Sequence, residues 1–363
     1  MRALIALAIV VATGVLAPAG PQAPASPSTS TFAATIAALS EPGGFFDTDN
    51  LISNERSYLH VLPELAKRQV SGGAYIGVGP DQNFSYIAQI RPRVAFMVDI
   101  RRDNLLLHLL FKALFAQARS RVEYLALLTG RPAPTPLTGW ESKPISALTA
   151  YIDGAAVLDA KQLAARRARI QSSLAATGVP LSAADLATID RFHRRFIEDG
   201  LALQFNSTGR APQFGYPTLG DLLLERDAAG TPRSFLAAEE GFTFLKDLQA
   251  RDLVIPVVGN LGGPTALAAI GKFLAQRNER LSAFYASNVE FYLFRDGSFG
   301  RFVANLASLP RADHAVIIRS IFGGAGRPLP GYLSASILHP IQNLLDGYAR
   351  GQFRQYSELT VAR

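Results

Sequence analysis

The chain has 363 residues, 48% of them hydrophobic, which is enough for one large domain with an insertion or two modest ones around a buried core. With no cysteine it has no disulfides, thiolate metal sites or cysteine nucleophiles. The net charge of +7 comes from 36 Lys and Arg against 29 Asp and Glu, spread along the chain; its main cluster, Arg166-Arg167-Ala168-Arg169, reads as a solvated helix face, and no nucleic-acid partner is expected.

Met1-Arg2 followed by Ala3 to Ala17 without a charge matches a short basic region and an apolar core. Ala17-Pro18-Ala19 and Ala23-Pro24-Ala25 then offer two small-x-small cleavage sites. A signal peptide over residues 1–25 is expected, and with it export to the periplasm or the exterior. The alternative is an uncleaved amino-terminal anchor, with no transmembrane domain beyond this segment. Residues 26–49 are expected to form a linker.

Residues 50–118 read as the first half of a Rossmann-like domain. Leu51 to Leu65 suggests a helical lead-in starting near Ser53, Ala74 to Val78 a short buried strand, and Gln82 to Ile90 the helix it feeds, stopped by Arg91-Pro92. Val94 to Ile100 is a second strand, nearly unbroken in apolar residues as parallel strands covered on both faces are, and Asn104 to Ala118 an apolar helix. Strand, helix, strand, helix in this order predicts a right-handed βαβ unit.

From 119 to 250 the alternation lapses, and the segment reads as a helical insertion or cap. Its clearest members are Lys161 to Ala176 and the run opened by Ser182-Ala183-Ala184-Asp185, a capping-box pattern, ending at Gly200. Phe205 to Arg233 reads as a long irregular loop. The second half of the domain, 251–363, resumes with a strand at Leu253 to Gly259 and a helix at Thr265 to Gln276. Leu281 to Phe294 and Ala315 to Phe322 are expected as strands, and Ser336 to Tyr348 as a final helix with Pro340 in its first turn. The fold class expected is α/β, a doubly wound, mostly parallel Rossmann-like sheet with a helical insertion.

Gly73-Ala74-Tyr75-Ile76-Gly77-Val78-Gly79-Pro80-Asp81-Gln82-Asn83, followed by a strand ending on Asp99, is the usual frame for an adenosine ribose: glycines that let the backbone approach a ligand, then a carboxylate with two acceptor oxygens. Asp81 and Asn83 read chiefly as caps of the following helix, with Asp81 kept as a candidate cofactor contact. A dinucleotide fingerprint asks for a third glycine where Gln82 stands, so the frame favours an adenosine cofactor without phosphates, and S-adenosylmethionine fits. Asn260, after its strand, is the candidate for orienting a nucleophile, against a plain turn role before Gly262-Gly263-Pro264. Asn288 is the candidate substrate contact; it and Glu290 are read as sharing one face of a strand. The five histidines lack paired metal-ligand spacing, and His108 reads as a core histidine. Asp296-Gly297-Ser298-Phe299-Gly300 does not match a nucleophile elbow.

These residues resemble the class I S-adenosylmethionine-dependent methyltransferase-like superfamily, whose first motif is a G-x-G turn and whose second strand ends in an acid. The run Gly77 to Phe84 is also similar to that of an uncharacterised bacterial methyltransferase-like family. Val98 to Leu114, Glu123 to Gly130, Ser53-Asn54-Glu55 and Ser287-Asn288-Val289-Glu290 are similar to segments of the 3-amino-3-carboxypropyltransferases of betaine-lipid synthesis. The resemblance covers about half the chain. It implies Gly77 and Gly79 beside the methionine part of the cofactor, Asp99 on its ribose, and Asn54 or Glu55 at its amino-acid end. Tyr75 departs from the pattern, since an acid often stands there.

The expected function is therefore S-adenosylmethionine-dependent transfer, of a methyl group first and an aminocarboxypropyl group second, to a small-molecule or lipid acceptor. The alternative is an exported, non-catalytic Rossmann-like binding protein. An NAD-dependent oxidoreductase is a third reading, opposed by Gln82.

Overall fold

The computed structural model describes residues 31–207, 213–323 and 327–361. The expected signal segment, with both cleavage sites and the alternative anchor, lies outside them. Among the described residues no helix is long and apolar enough to cross a membrane.

The chain builds an α/β domain on one six-stranded sheet. Its strands are β1 (Ala74–Val78), β2 (Val94–Asp99), β3 (Val254–Val258), β4 (Leu281–Ser287), β5 (Arg311–Phe322) and β6 (Ser334–Pro340), in the order β3-β2-β1-β4-β5-β6. The first five are parallel, and β6 pairs antiparallel with β5. β1 and β3 are buried at every residue and β2 at all but Asp99, which explains their unbroken apolar runs. The strand order reverses between β1 and β4, and at such a switch point the strand ends part to leave a crevice.

The helices, in chain order, are α1 (Thr31–Leu39), α2 (Leu62–Lys67) after a 3₁₀ turn at Arg56–Val61, α3 (Gln82–Ile90), α4 (Arg102–Gln117), α5 (Arg121–Thr129), α6 (Ile145–Gly154), α7 (Ala160–Ala176), α8 (Ala183–Asp199), α9 (Leu219–Leu224), α10 (Glu239–Ala250), α11 (Ala266–Gln276), α12 (Val289–Arg295), α13 (Phe299–Ser308), α14 (Ile341–Ala349) and α15 (Tyr356–Val361). α3 ends where Arg91 takes a left-handed conformation ahead of Pro92. α8 opens with the capping box read at Ser182 and Asp185. Between α4 and β3 the described residues form helices without a sheet strand, and α7, α8 and α10 pack along α4.

Several expectations are corrected. Residues 31–39 of the expected linker form α1, whose Phe32, Ile36 and Leu39 repeat every three or four residues and bury against β3 and α11. The strand expected over Leu281–Phe294 ends at Ser287, and α12 follows, so Asn288 and Glu290 do not share a strand face. Ser334–Pro340 is a strand rather than the start of the last helix; Pro340 precedes α14 instead of lying in it. α9 interrupts the loop expected over Phe205–Arg233. Arg166 is not solvated: it is buried, and its guanidinium donates to the carbonyls of Ala126 and Arg131.

Candidate functional site

At the carboxyl end of β1 the chain turns sharply into α3. Gly79 has φ +81°, a left-handed conformation that glycine adopts freely. Asn83 ties the turn down, donating from Nδ2 to the carbonyls of Val78 and Pro80 at 2.8 Å each, while its Oδ1 accepts from the Tyr75 hydroxyl at 2.7 Å. Asn83 thus braces the turn rather than capping α3. Its position explains Gly77, where a Cβ would lie 1.8 Å from Asn83 Oδ1 and 2.7 Å from the Tyr75 ring. Gly77 therefore makes room for a buried side chain and does not line the cavity. His108, buried on α4, donates from Nε2 to the Gly79 carbonyl at 2.9 Å and is held neutral, its pKa lowered by burial to about 4.

Asp81 is the residue before α3, but its side chain makes no cap hydrogen bond and does not line the cavity. Burial pushes its carboxyl up to about 7. Gln82 lies over the turn and lines the cavity. Its Nε2 donates to the Tyr285 hydroxyl at 3.3 Å, and its buried Oε1 has no hydrogen-bond partner among the described residues.

At the end of β2, Asp99 is engaged by Arg101: Oδ1 accepts from the Arg101 backbone N–H at 2.9 Å and from Nε at 3.1 Å, and Oδ2 from Nη2 at 2.9 Å. A carboxylate has about four acceptor positions, so capacity for a ligand hydroxyl remains. Arg101 Nη1 also donates to the carbonyls of Thr48 and Asp49, which fixes the loop after α1. That loop runs over the ends of β2 and β3. Gly44 N–H bonds the Ile100 carbonyl at 2.7 Å, and Glu41 accepts from the backbone N–H groups of Asn260, Thr265 and Ala266. Its Phe45, Phe46, Thr48 and Asn50 form one wall of the cavity.

Across β1, at the ends of β4 and β5, lies Glu55, buried and, among the described residues, with no cationic side chain hydrogen-bonded to it. Its Oε1 accepts from the Ser287 hydroxyl, and its Oε2 from the hydroxyls of Tyr285 and Ser320. Burial raises its pKa, against the opposing effect of the three hydroxyl donors. Ser53 Oγ accepts from the Glu55 N–H at 3.0 Å, so Ser53 shapes the turn while Glu55 precedes the 3₁₀ helix. Ser287 is half-buried and has φ +53°. Glu290 is engaged instead in a buried ion pair with Arg319.

These groups meet in a cavity of about 290 Å³, at the lower end of the range for small-molecule sites. It brings together Asn54, Glu55, Gly79, Asp99, Asn260 and Asn288 of the residues singled out from the sequence, and leaves out Gly77 and Asp81. Asn260 holds an Asx turn, its Oδ1 accepting from Gly262 N–H at 2.9 Å, so the turn role is the observed one. Asn288 precedes α12 without capping it. Of the residues the sequence did not single out, Arg101 is signalled by its Asp-x-Arg spacing from Asp99. Ser287 enters the sequence reading only as the first residue of the Ser287–Glu290 segment and Ser320 not at all, because both meet Glu55 from more than 200 residues away.

The chain matches the model of a family described as Domain of unknown function (DUF7790) over residues 51–134 and 219–352, more than half its length. The chain belongs to this family. The two matched stretches carry Asn54, Glu55, the glycine turn, Asp99, Asn260, Ser287 and Ser320, and they flank residues 135–218, which hold α6, α7 and α8. No curated protein matches the chain.

Proposed function

We propose that this protein is an S-adenosylmethionine-dependent transferase, with methyl transfer the first choice and aminocarboxypropyl transfer the second. One observation carries the reading. Three carboxyl side chains, Asp99, Glu55 and Asp296, line one cavity, the first two on either side of the glycine turn, and the lone cationic side chain lining it among the described residues, Arg101, is already bound to Asp99. Such a wall repels a pyrophosphate and suits an adenosine ligand that carries positive charge. The orphaned Gln82 Oε1 adds a buried acceptor that asks for a donor, as an ammonium group would provide. β2 and β4 are separated by β1, so Asp99 and Ser287 stand roughly 10 Å apart across two strand spacings. That span suits a ribose at one end and a reacting group at the other.

S-adenosylmethionine supplies an electrophilic carbon on a sulfonium. The chain's part is to bind and orient: Asp99 accepts from ribose hydroxyls, Gly79 permits close backbone approach, Gln82 and Asn54 receive the amino-acid end, and Glu55 offsets positive charge. Phe45, Phe46 and Tyr292 restrict water. Calorimetry of the full chain with S-adenosylmethionine tests the reading. Micromolar binding that NAD does not displace is expected; a folded protein that takes up none overturns it.

A second reading, an exported binding protein that keeps the frame without transfer, is favoured by the charge-free run Ala3 to Ala17. Fractionation of a tagged chain tests it, and recovery in the cytosol would remove its support.

A further inference from the structure

The Glu55 cluster has a second property that needs no cofactor. Nucleophilic catalysis requires a hydroxyl in hydrogen-bond contact with a base, the base held by a third group, and the hydroxyl facing a cavity. Ser287 Oγ donates to Glu55 Oε1, and the other carboxylate oxygen is occupied by the hydroxyls of Tyr285 and Ser320, so the carboxylate is fixed with one oxygen directed to Ser287. Ser287 lines the cavity and is half-buried, while Glu55, which lines it too, is only 1% exposed. The backbone adds an independent observation. Ser287 is a non-glycine residue at φ +53° on the tight turn between a parallel strand, β4, and a helix, α12. Non-glycine residues held in that region collect at functional sites, and a serine on a strand-to-helix turn is the geometry that presents a hydroxyl at the edge of an α/β sheet. The local sequence, Tyr285-Ala286-Ser287-Asn288-Val289, lacks the glycines that usually advertise such a turn.

We propose that Ser287 is a nucleophile activated by Glu55, and that the cavity accepts carboxylic esters with an apolar acyl group. Ser287 Oγ attacks the ester carbonyl carbon as its proton passes to Glu55 Oε1. The bond to the leaving alcohol breaks, and Glu55 returns the proton to the departing oxygen, leaving an acyl-serine. A water molecule then attacks the acyl carbon, giving its proton to Glu55, which protonates Ser287 Oγ as the acid leaves. Burial raises the basicity of Glu55 in the direction this requires. The side-chain amides of Asn54 and Asn288 line the same cavity and supply donors for the carbonyl oxygen as it gains charge. Phe46 and Tyr292, packed edge to face with centroids 4.9 Å apart, give the acyl group an apolar wall. Tyr285 and Ser320 are positioning residues.

The test is covalent labelling of the full chain with a fluorophosphonate, read by intact mass and peptide mapping, together with p-nitrophenyl butyrate hydrolysis. One adduct per chain, mapped to Ser287, is expected, with a pre-steady-state burst approaching one equivalent. Ser287→Ala should abolish the adduct, and Glu55→Gln should slow labelling by about a hundredfold. Ser320→Ala should shift the pH profile of the labelling rate, which a purely structural role would leave in place. The wild-type result decides the matter even if a variant fails to fold. No adduct on folded wild-type protein at pH 8, or an adduct that persists in Ser287→Ala, overturns the proposal. The outcome is independent of whether S-adenosylmethionine binds.

Discussion

Asp99 and Arg101, two residues apart at the end of β2, form a bidentate pair in which the guanidinium also holds the loop over the cavity through the carbonyls of Thr48 and Asp49. Asp99 thus anchors Arg101, and the proposed ribose contact would be a second task that a variant can separate from the first. Asp99→Asn keeps one acceptor for Arg101 while removing the charge. Loss of the proposed ribose contact should lower affinity for S-adenosylmethionine by about 1 to 3 kcal/mol, a factor of roughly 5 to 150. Isothermal titration measures this; unchanged affinity in a folded variant would leave Asp99 with Arg101 as its only task.

Gly77→Ala should act on stability rather than on ligand contact. The added methyl carbon would overlap Asn83 Oδ1 and the Tyr75 ring, both fully buried, so the brace across the glycine turn must break. A loss of about 2 to 4 kcal/mol is expected by urea unfolding. Asn83→Ala should cost a similar amount, because it removes both Nδ2 bonds to the Val78 and Pro80 carbonyls and takes the acceptor from the buried Tyr75 hydroxyl. A double variant no worse than either single one would show that both act on one contact.

The contrast between Gly77 and Glu55 indicates what was legible in the sequence. The unbroken apolar runs of β1, β2 and β3, the Arg91-Pro92 stop and the capping box at Ser182 are local signals, and the chain obeys them. Gly77 resembled a ligand-facing glycine because spacing cannot distinguish room for a cofactor from room for Asn83. β6 was misread because Ile337-Leu338 followed by a proline suits a helix start, and only pairing with β5 decides for a strand. The Glu55 cluster is tertiary: its members come from the lead-in, β4 and β5 and meet only once the sheet is built.

Asp81 makes stability depend on pH in a direction opposite to that of a salt-bridged acid. Burial raises its folded pKa to about 7, whereas an unfolded aspartate titrates near 3.9. Below about pH 4 both states hold the proton. Between about 4 and 7 the folded chain keeps a proton that the unfolded chain releases, so stability falls as pH rises, by a few kcal/mol in all, and levels off above 7. His108 and His339, buried with pKa values lowered to about 4, oppose this trend between about 4 and 6.5, since the unfolded chain takes up protons there. Asp81→Asn isolates the aspartate, and no cap bond is lost with it. Urea midpoints for variant and wild type should converge near pH 4.5 and diverge in the variant's favour toward pH 8. A constant gap across that range would refute the raised pKa.

Glu290 and Arg319 are each 1% exposed as side chains, and Arg319 also donates to His339 Nδ1 at 2.8 Å. Removing one partner leaves a charge in the interior without compensation, whereas removing both leaves a packing problem and a neutral His339 nitrogen without its donor. Glu290→Gln should therefore destabilise the fold by about 3 to 5 kcal/mol, and Glu290→Leu combined with Arg319→Met should cost less than that single change. The position of the pair sharpens the test. Arg319 precedes Ser320 on β5, and Ser320 fixes the Glu55 carboxylate, so a guanidinium released from Glu290 would disturb the strand that carries that hydroxyl. Glu290→Gln should thus slow labelling of Ser287 while the apolar double variant restores it in part. Urea unfolding and the labelling rate, measured on the same variants, check both halves, and a double variant less stable than Glu290→Gln would show that the ion pair itself, not the orphaned charge, sets the cost.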